Sequence, residues 1–175
     1  MEQSAAEVRV RRIVTGHDAQ GRSVIVSDTT TVMDGPLHEL WMTEGTPARF
    51  GGAPHLGALP LDLEPPKGGT VVRFVRFMPT QEVSMEELEQ RFSKVFADIK
   101  ASHTRVDTRR HPAMHRTRTV DYGIVLSGRV TLLMDEGERE LKPFDVVIQR
   151  GTNHGWVNPG PEPALVAFVL IDGAD

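Results

Sequence analysis

The sequence contains no cysteine, and this absence removes several kinds of site. Without thiols, the chain has no disulfide framework, no thiolate metal centre and no thiol nucleophile. The lack of disulfides fits a reducing compartment. The first ten residues lack the basic-then-apolar layout of a signal peptide, and no apolar run approaches the length of a membrane span. We therefore expect a cytoplasmic protein that does not act at a membrane.

A strong charge of either sign is also missing. The formal net charge is −4 and the pI is about 6.0, which argues against nucleic acid or an anionic membrane surface as the main partner. The length of 175 residues suits one domain with a proper core. The 16 glycines and 12 prolines favour many turns and short strands over a helical bundle.

Short segments rich in β-branched and apolar residues recur along the chain, with turn residues between them. Strands are predicted at Val8–Thr15, Ser23–Ser27, Leu37–Thr43, Thr70–Met78, Val120–Leu126, Val130–Met134, Glu138–Leu141, Val146–Gln149, His154–Val157 and Ala164–Ile171. Such a series predicts an antiparallel sandwich or barrel, and so a mostly β protein.

One segment follows a helical pattern instead. Ser84 and Glu87 have the spacing of a capping box, which predicts the start of a helix. Apolar residues then recur at steps of three and four up to Ile99, so this amphipathic helix packs in the core or against a second copy. Between Arg49 and Gly69, glycines and prolines predict a long surface loop, for which a lid is one role.

The predicted strand Thr70–Met78 carries arginine on both of its faces. Alternation places Arg76 on one face and Arg73 on the other. One of them could point into a barrel and bind an anion, or both could reach water. We take Arg76 as the candidate that orients a substrate.

Two polar motifs lie at the edges of the later strands. The second contains Gly151, His154 and Asn158, and the first contains His115, Thr117, Asp121 and Gly128. With these spacings, residues 108–171 resemble the cupin superfamily, whose second motif is Gly, two residues, His, three residues and Asn. The first cupin motif usually has histidine where Thr117 stands and glutamate where Asp121 stands. Two further departures are Phe144, where a turn glycine is usual, and Gln149, where proline is common.

The resemblance implies a cupin-type double-stranded β-helix, or jelly-roll, barrel in residues 108–175. Residues 1–107 would supply an N-terminal strand extension, the loop and the helix, packed on the barrel in one structural domain. The N-terminal part resembles that of small single-cupin proteins of microbial small-molecule metabolism. Cupins commonly pair through their sheets, so a homodimer is expected.

The first motif places its polar side chains on one side of a strand. His115, Thr117 and Asp121 are separated by even numbers of residues, and His154 can face the same interior if its strand pairs nearby. Two imidazoles and a carboxylate form a ligand set for a divalent metal ion such as Fe, Mn, Zn or Ni. Thr117 would make a weaker ligand contact. The alternative is hydrogen bonding alone, from His154 to Asp121 and from His115 to a backbone carbonyl.

Two functions follow from these residues. The first is a small-molecule enzyme in which a metal held by His115, Asp121 and His154 activates water, oxygen or an enolisable substrate, while Gln149 and Arg76 orient that substrate. Oxygenation, isomerisation, decarboxylation and lyase chemistry all occur on this fold, so the fold does not select the reaction. The second is a non-catalytic module that binds a small molecule, with a degraded or empty metal site.

Overall fold

The computed structural model describes residues 7–51 and 62–174, and this part of the chain is mostly β, as predicted. It contains ten strands and one α-helix, together with a short 3-10 turn at Ser102–Thr104. The strands are β1 (Arg9–His17), β2 (Ser23–Val32), β3 (Leu37–Thr43), β4 (Thr70–Phe77), β5 (Thr119–Ser127), β6 (Val130–Met134), β7 (Glu138–Leu141), β8 (Val146–Arg150), β9 (His154–Val157) and β10 (Ala164–Asp172), and the helix is α1 (Met85–Asp98).

Two antiparallel sheets enclose the main core. One has the strand order β3-β4-β10-β5-β8 and the other the order β7-β6-β9. Alternate side chains of β10 point inward, where Val166 and Phe168 pack in one cluster with Leu132 and Trp156 of the second sheet. Period-two alternation therefore directs the apolar side chains of both sheets into a common barrel interior.

The five-stranded sheet draws on both parts of the predicted division. Strands β3 and β4 come from residues before 108, and β4 pairs directly with the last strand, β10. The predicted N-terminal extension thus includes two strands that complete the wall of the barrel. Residues 52–61 of the predicted loop lie outside the described residues, so a lid at that position stays a prediction.

Strands β1 and β2 form a separate hairpin. They pair antiparallel with each other, and in the described part of the chain neither strand pairs with the two larger sheets. Val10 and Met33 are buried at its base, whereas Ile13, Ile25 and Val26 are exposed. The hairpin thus presents apolar side chains to solvent.

Helix α1 begins with the predicted capping box. The Ser84 hydroxyl accepts a hydrogen bond from the Glu87 amide at 3.2 Å, and the Glu87 carboxylate accepts one from the Ser84 amide at 3.0 Å. The apolar face of the helix then packs in a second small cluster, which contains Phe96 and Ile99 and against which Leu37 of β3 packs. No helix in the described ranges is long and apolar enough to span a bilayer.

Candidate functional site

Two histidines from distant parts of the chain lie side by side. His115 and His154 exchange backbone hydrogen bonds, with N–O distances of 2.8 Å and 2.9 Å, and form an isolated antiparallel bridge. Directly opposed residues in such a bridge project their side chains to the same face. Their ring centroids are accordingly 4.2 Å apart, with the planes tilted by 50°.

Both imidazoles have a fixed tautomer because a backbone carbonyl can only accept a hydrogen bond. Nδ1 of His115 donates to the Ala113 carbonyl at 2.9 Å, and Nδ1 of His154 donates to the Thr152 carbonyl at 2.9 Å. The Nε2 atom of each ring therefore carries a lone pair when the ring is neutral. This is the form in which histidine binds a metal ion, with the second nitrogen oriented by a carbonyl.

Burial keeps the two rings neutral. Loss of hydration lowers the pKa of His154 to about 3, and the neighbouring His115 ring lowers it further. The pKa of His115 falls to about 4, mainly through the same loss of hydration, although its ring keeps some accessible surface. Both histidines are thus neutral at pH 7, and the Nε2 atom of each can act as an acceptor or a ligand.

Asp121 and Gln149 approach the histidines from the opposite sheet. They are paired across β5 and β8, so both side chains point inward and are buried. Nε2 of Gln149 lies 2.7 Å from Nε2 and 2.5 Å from Nδ1 of His154. Because Nδ1 already donates to Thr152, the amide can donate only to Nε2. The same amide nitrogen lies 3.5 Å from Oδ2 of Asp121 and so stands between the carboxylate and the imidazole.

The Asp121 carboxylate is unusually basic for an aspartate. Burial raises its pKa to about 6, although a hydrogen bond from Thr119 and the charge of Arg73 act in the opposite direction. Within the described ranges, its Oδ1 atom and Oε1 of Gln149 are buried without a hydrogen-bond partner. Two acceptor oxygens are thus left for a ligand, a water molecule or a cation.

These groups border a cavity of about 330 Å³ between the barrel and α1. Its walls are mostly apolar: the barrel contributes Phe77, Trp156 and Phe168, and the helix contributes Leu88, Phe92 and Phe96. Trp156 and Phe168 meet edge to face at a centroid distance of 5.1 Å. A cavity of this volume and lining suits a small organic molecule with few polar groups.

The polar residues predicted from the two motifs meet at this cavity. The lining includes His115, Thr117, Asp121 and His154. Gln149 contacts His154 through its side-chain amide. The Thr117 hydroxyl shares a hydrogen bond with that of Thr119 at 2.7 Å. Of the two hydrogen bonds predicted as the alternative to a metal ion, the one from His115 to a backbone carbonyl is present. His154 contacts Asp121 only through the Gln149 amide.

The two arginines of β4 have different positions. Arg73 points inward and is 1% exposed, whereas Arg76, on the other face of the strand, is half-buried. Both contribute to the lining of the cavity. The role predicted for Arg76 in orienting a substrate stays a prediction, and Arg73 is the arginine that is enclosed by the barrel.

The histidine pair fits a divalent metal ion in its donor chemistry. Both rings are neutral, both Nδ1 atoms are tied to carbonyls, and the buried Oδ1 of Asp121 is an available acceptor. However, no three His, Cys, Asp or Glu side chains across residues 7–51 and 62–174 are grouped closely enough to hold an ion. The Gln149 amide separates Asp121 from His154, so two of the three predicted ligands are adjacent and the third is not.

Sequence reasoning missed two parts of the site. The apolar stripe of α1 lines the cavity as well as packing in the core, and Glu39 on β3 forms an ion pair with Arg73 at 2.9 Å. The signal for the second was present, because Arg73 lies on the same face of β4 as Val71 and Val75. An arginine between two apolar side chains of one strand face indicates a buried charge with a partner.

Comparison with known proteins agrees with this architecture. A family model described as a cupin domain matches residues 103–171. The Aspergillus ruber protein named cupin-domain-containing oxidoreductase fogC is 30% identical over 181 residues, which cover 95% of this chain and 74% of that protein. The Hypocrea virens protein named cupin-domain-containing oxidoreductase virC is 28% identical over 178 residues, covering 94% of this chain and 76% of that protein.

A shorter match is closer in sequence. The phomopsin biosynthesis cluster protein C' of Diaporthe leptostromiformis is 59% identical over 46 residues, which are 26% of this chain and only 24% of that protein. The Aspergillus ruber protein aligns with almost the whole chain, and this confirms the resemblance seen in the two motifs. The chain belongs to the cupin family.

Proposed function

We propose that this cupin is an enzyme that converts a small, mostly apolar molecule in the cavity between the barrel and α1. The observation that carries the proposal is the convergence of His115, His154 and Asp121, from two distant motifs, at the wall of an otherwise apolar cavity. Ionisable groups in a cavity, with pKa values shifted by burial, are typical of catalytic sites. Relatives named as oxidoreductases support an enzymatic role.

The polar residues have complementary roles in this proposal. The two neutral imidazoles bind an electrophile or accept a proton at Nε2, because their Nδ1 atoms are already committed to carbonyls. Asp121, with a pKa of about 6, gains or loses a proton near neutral pH. Gln149 orients His154 and contacts the carboxylate, so it links these two groups. The apolar walls exclude water from the reacting end of the substrate.

A divalent metal ion belongs to the same proposal. His115 and His154 would hold it through Nε2, with Asp121 as the third ligand once the Gln149 amide has moved aside. When bound, the ion polarises a substrate oxygen or lowers the pKa of a bound water. Action in the cytoplasm, without nucleic acid or membrane partners, is expected from composition and stays a prediction.

Metal titration tests this part of the proposal. Chelator-treated protein, made without a nickel column, is titrated with Fe(II), Mn(II), Zn(II) and Ni(II), and bound metal is measured by elemental analysis. We expect one ion per chain for at least one metal, and at least a tenfold loss of affinity in His115→Ala and His154→Ala. Binding that is absent for all four metals, or unchanged in both variants, would remove the metal from the proposal.

A second candidate is a non-catalytic module that binds a small molecule. It is favoured by the Gln149 amide, which occupies the Nε2 lone pair of His154 at 2.7 Å. The two candidates differ in what happens to a ligand. The purified protein is incubated with a small-molecule extract, with and without the bound metal, and the ligand is followed by mass spectrometry. An enzyme converts it in a His154-dependent manner, whereas a binding module returns it unchanged.

A further inference from the structure

Arg73 is a buried cation with unused hydrogen-bond donors. Its side chain is 1% exposed and uses a single nitrogen, Nη2, for both of its contacts. These are the Glu39 carboxylate at 2.9 Å and the Asp62 carbonyl at 2.8 Å. Nε and Nη1 are buried and have no partner among the described residues. A buried donor without a partner is unfavourable, so an acceptor that reaches these two atoms would be stabilised.

The surroundings of Arg73 are those of a ligand site. It lines the cavity and is paired in register with Phe168 of β10, another lining residue. Val75 and Phe77 follow it on the same face of β4 and also line the cavity. A molecule in the cavity thus meets apolar side chains over most of its surface, with the buried Arg73 cation as part of the same wall.

The charges around Arg73 indicate which kind of ligand acceptor it would bind. The single positive charge of Arg73 is already balanced by Glu39, and Asp121 and Asp62 also interact with it. A ligand carboxylate would add a further negative charge to this buried group, whereas a neutral carbonyl oxygen supplies an acceptor without one. The donors and the charge balance together favour a neutral ligand.

We propose that Arg73 anchors the substrate through a neutral carbonyl oxygen, as in a mostly apolar ketone, aldehyde or quinone. The apolar part of that molecule lies against Phe168 and the inner face of α1. This inference rests on the proposed function in one respect, because it places the substrate in the same cavity. It adds the substrate class and a binding residue that lies outside the two cupin motifs.

Three probes of matched shape test the proposal. They are 2-acetylnaphthalene, 2-isopropylnaphthalene, which has the same shape without an acceptor, and 2-naphthoate, which carries a charge. Binding to chelator-treated protein is measured by equilibrium dialysis. Arg73→Lys keeps a cation beside Glu39 but removes the planar donors. We expect this variant to lower the affinity for 2-acetylnaphthalene at least tenfold and the affinity for 2-isopropylnaphthalene less than twofold.

A second variant tests the charge balance without altering Arg73. Glu39→Gln leaves the cation without its balancing carboxylate. We expect the affinity for 2-naphthoate to rise at least fivefold, while that for 2-acetylnaphthalene changes less than twofold. Arg129→Gln is the control, since its exposed pair with Glu140 is not part of the cavity lining, and it should leave all three affinities unchanged.

Several results would overturn the assignment. One is an equal loss of affinity for both neutral probes in Arg73→Lys, and another is no binding of 2-acetylnaphthalene to the unaltered protein. A third is that Arg76→Gln, and not Arg73→Lys, removes the preference for 2-acetylnaphthalene over 2-isopropylnaphthalene. Circular dichroism shows whether each variant is folded, and Glu39→Gln decides the question if Arg73→Lys is not. Dialysis without metal measures neither turnover nor metal binding, so failure of the proposed function leaves this result interpretable.

Discussion

His115 and His154 affect stability because neither ring takes up a proton in the folded protein until the pH is low. Their folded-state pKa values of about 4 and about 3 lie below the ordinary value of 6.5. The unfolded chain therefore binds more protons below pH 6.5, and stability falls as the pH falls. Asp121 acts in the opposite direction, since its pKa of about 6 lies above the ordinary 3.8.

The first prediction is a loss of stability in mild acid. As the pH falls from 8 to 5, each buried histidine lowers the free energy of unfolding by about 2 kcal/mol. Protonation of Asp121 raises the same free energy by about 1 kcal/mol. We expect a net loss of about 3 kcal/mol, measured by urea unfolding of chelator-treated protein at the two pH values.

Variants assign that loss to the site. His154→Gln should reduce the difference between pH 8 and pH 5 by about 2 kcal/mol. His103→Gln, which removes an exposed imidazole outside the cavity, is the control. A pH dependence that survives His154→Gln and disappears in His103→Gln would contradict the assignment.

Phe144 occupies a backbone conformation that suits glycine. Its φ angle is +75° and its side chain is 91% exposed, so the ring gains little from burial to offset the strain. Phe144→Gly should therefore raise the free energy of unfolding by roughly 1 kcal/mol, as measured by urea unfolding. Phe144→Ala removes the ring but keeps a Cβ atom, and a gain as large in this variant would show that strain is not the cause.

At the level of elements, helix α1 begins with a capping box and forms one wall of the cavity. Ser84→Ala removes the acceptor for the Glu87 amide, so we expect a loss of about 1 kcal/mol in the free energy of unfolding. Chemical denaturation measures this loss, with Gln90→Ala as an exposed control on the same helix. Equal losses in both variants would mean that the capping bond does not stabilise the fold.

The elements were largely predictable, because their signals are local. Alternation located the strand ends to within two residues, except that β2 continues five residues beyond the predicted end at Ser27. The Ser84–Glu87 spacing located the start of α1. What the helix faces was not predictable, since an apolar stripe has the same pattern whether it covers packed side chains or a cavity. Which of Arg73 and Arg76 the barrel encloses could not be predicted for a related reason: both faces of β4 combine apolar residues with an arginine, and only the pairing with β10 and β3 shows which face is enclosed.

The site was predictable in its members but not in its detail. Even spacing placed Thr117 and Asp121 on one face, and both are buried at the cavity. The contact of His115 with His154 depends on a backbone bridge between residues far apart in sequence. The position of the Gln149 amide between Asp121 and His154 depends on side-chain rotamers, which a sequence pattern does not specify.

For the whole molecule, the exposed hairpin of β1 and β2 favours association. An isolated two-stranded hairpin is marginally stable in water, and this one exposes Ile13, Ile25 and Val26. We expect a homodimer in which these side chains are covered. Light scattering should give twice the chain mass of 19.4 kDa, and Ile25→Asp should shift the protein to the monomer mass.

The matched control is Thr29→Asp, which adds the same charge at an exposed position of β2. It should leave the dimer intact, because the residue it replaces is a polar one. A monomer for the unaltered protein at micromolar concentration would contradict the expectation.

The order of the strands separates two tasks along the chain. The histidines and Asp121 lie within residues 103–171, whereas Arg73, Glu39 and α1 come from residues 37–98. If Arg73 anchors the substrate, the earlier segment supplies the residue that recognises the substrate oxygen and one wall of the cavity. The later segment supplies the reactive groups, together with Trp156 and Phe168 of the opposite wall. Evolution can then alter the choice of molecule while leaving the reactive groups untouched, and a chimera that exchanges residues 37–98 between two relatives should inherit the preference of the donor of that segment.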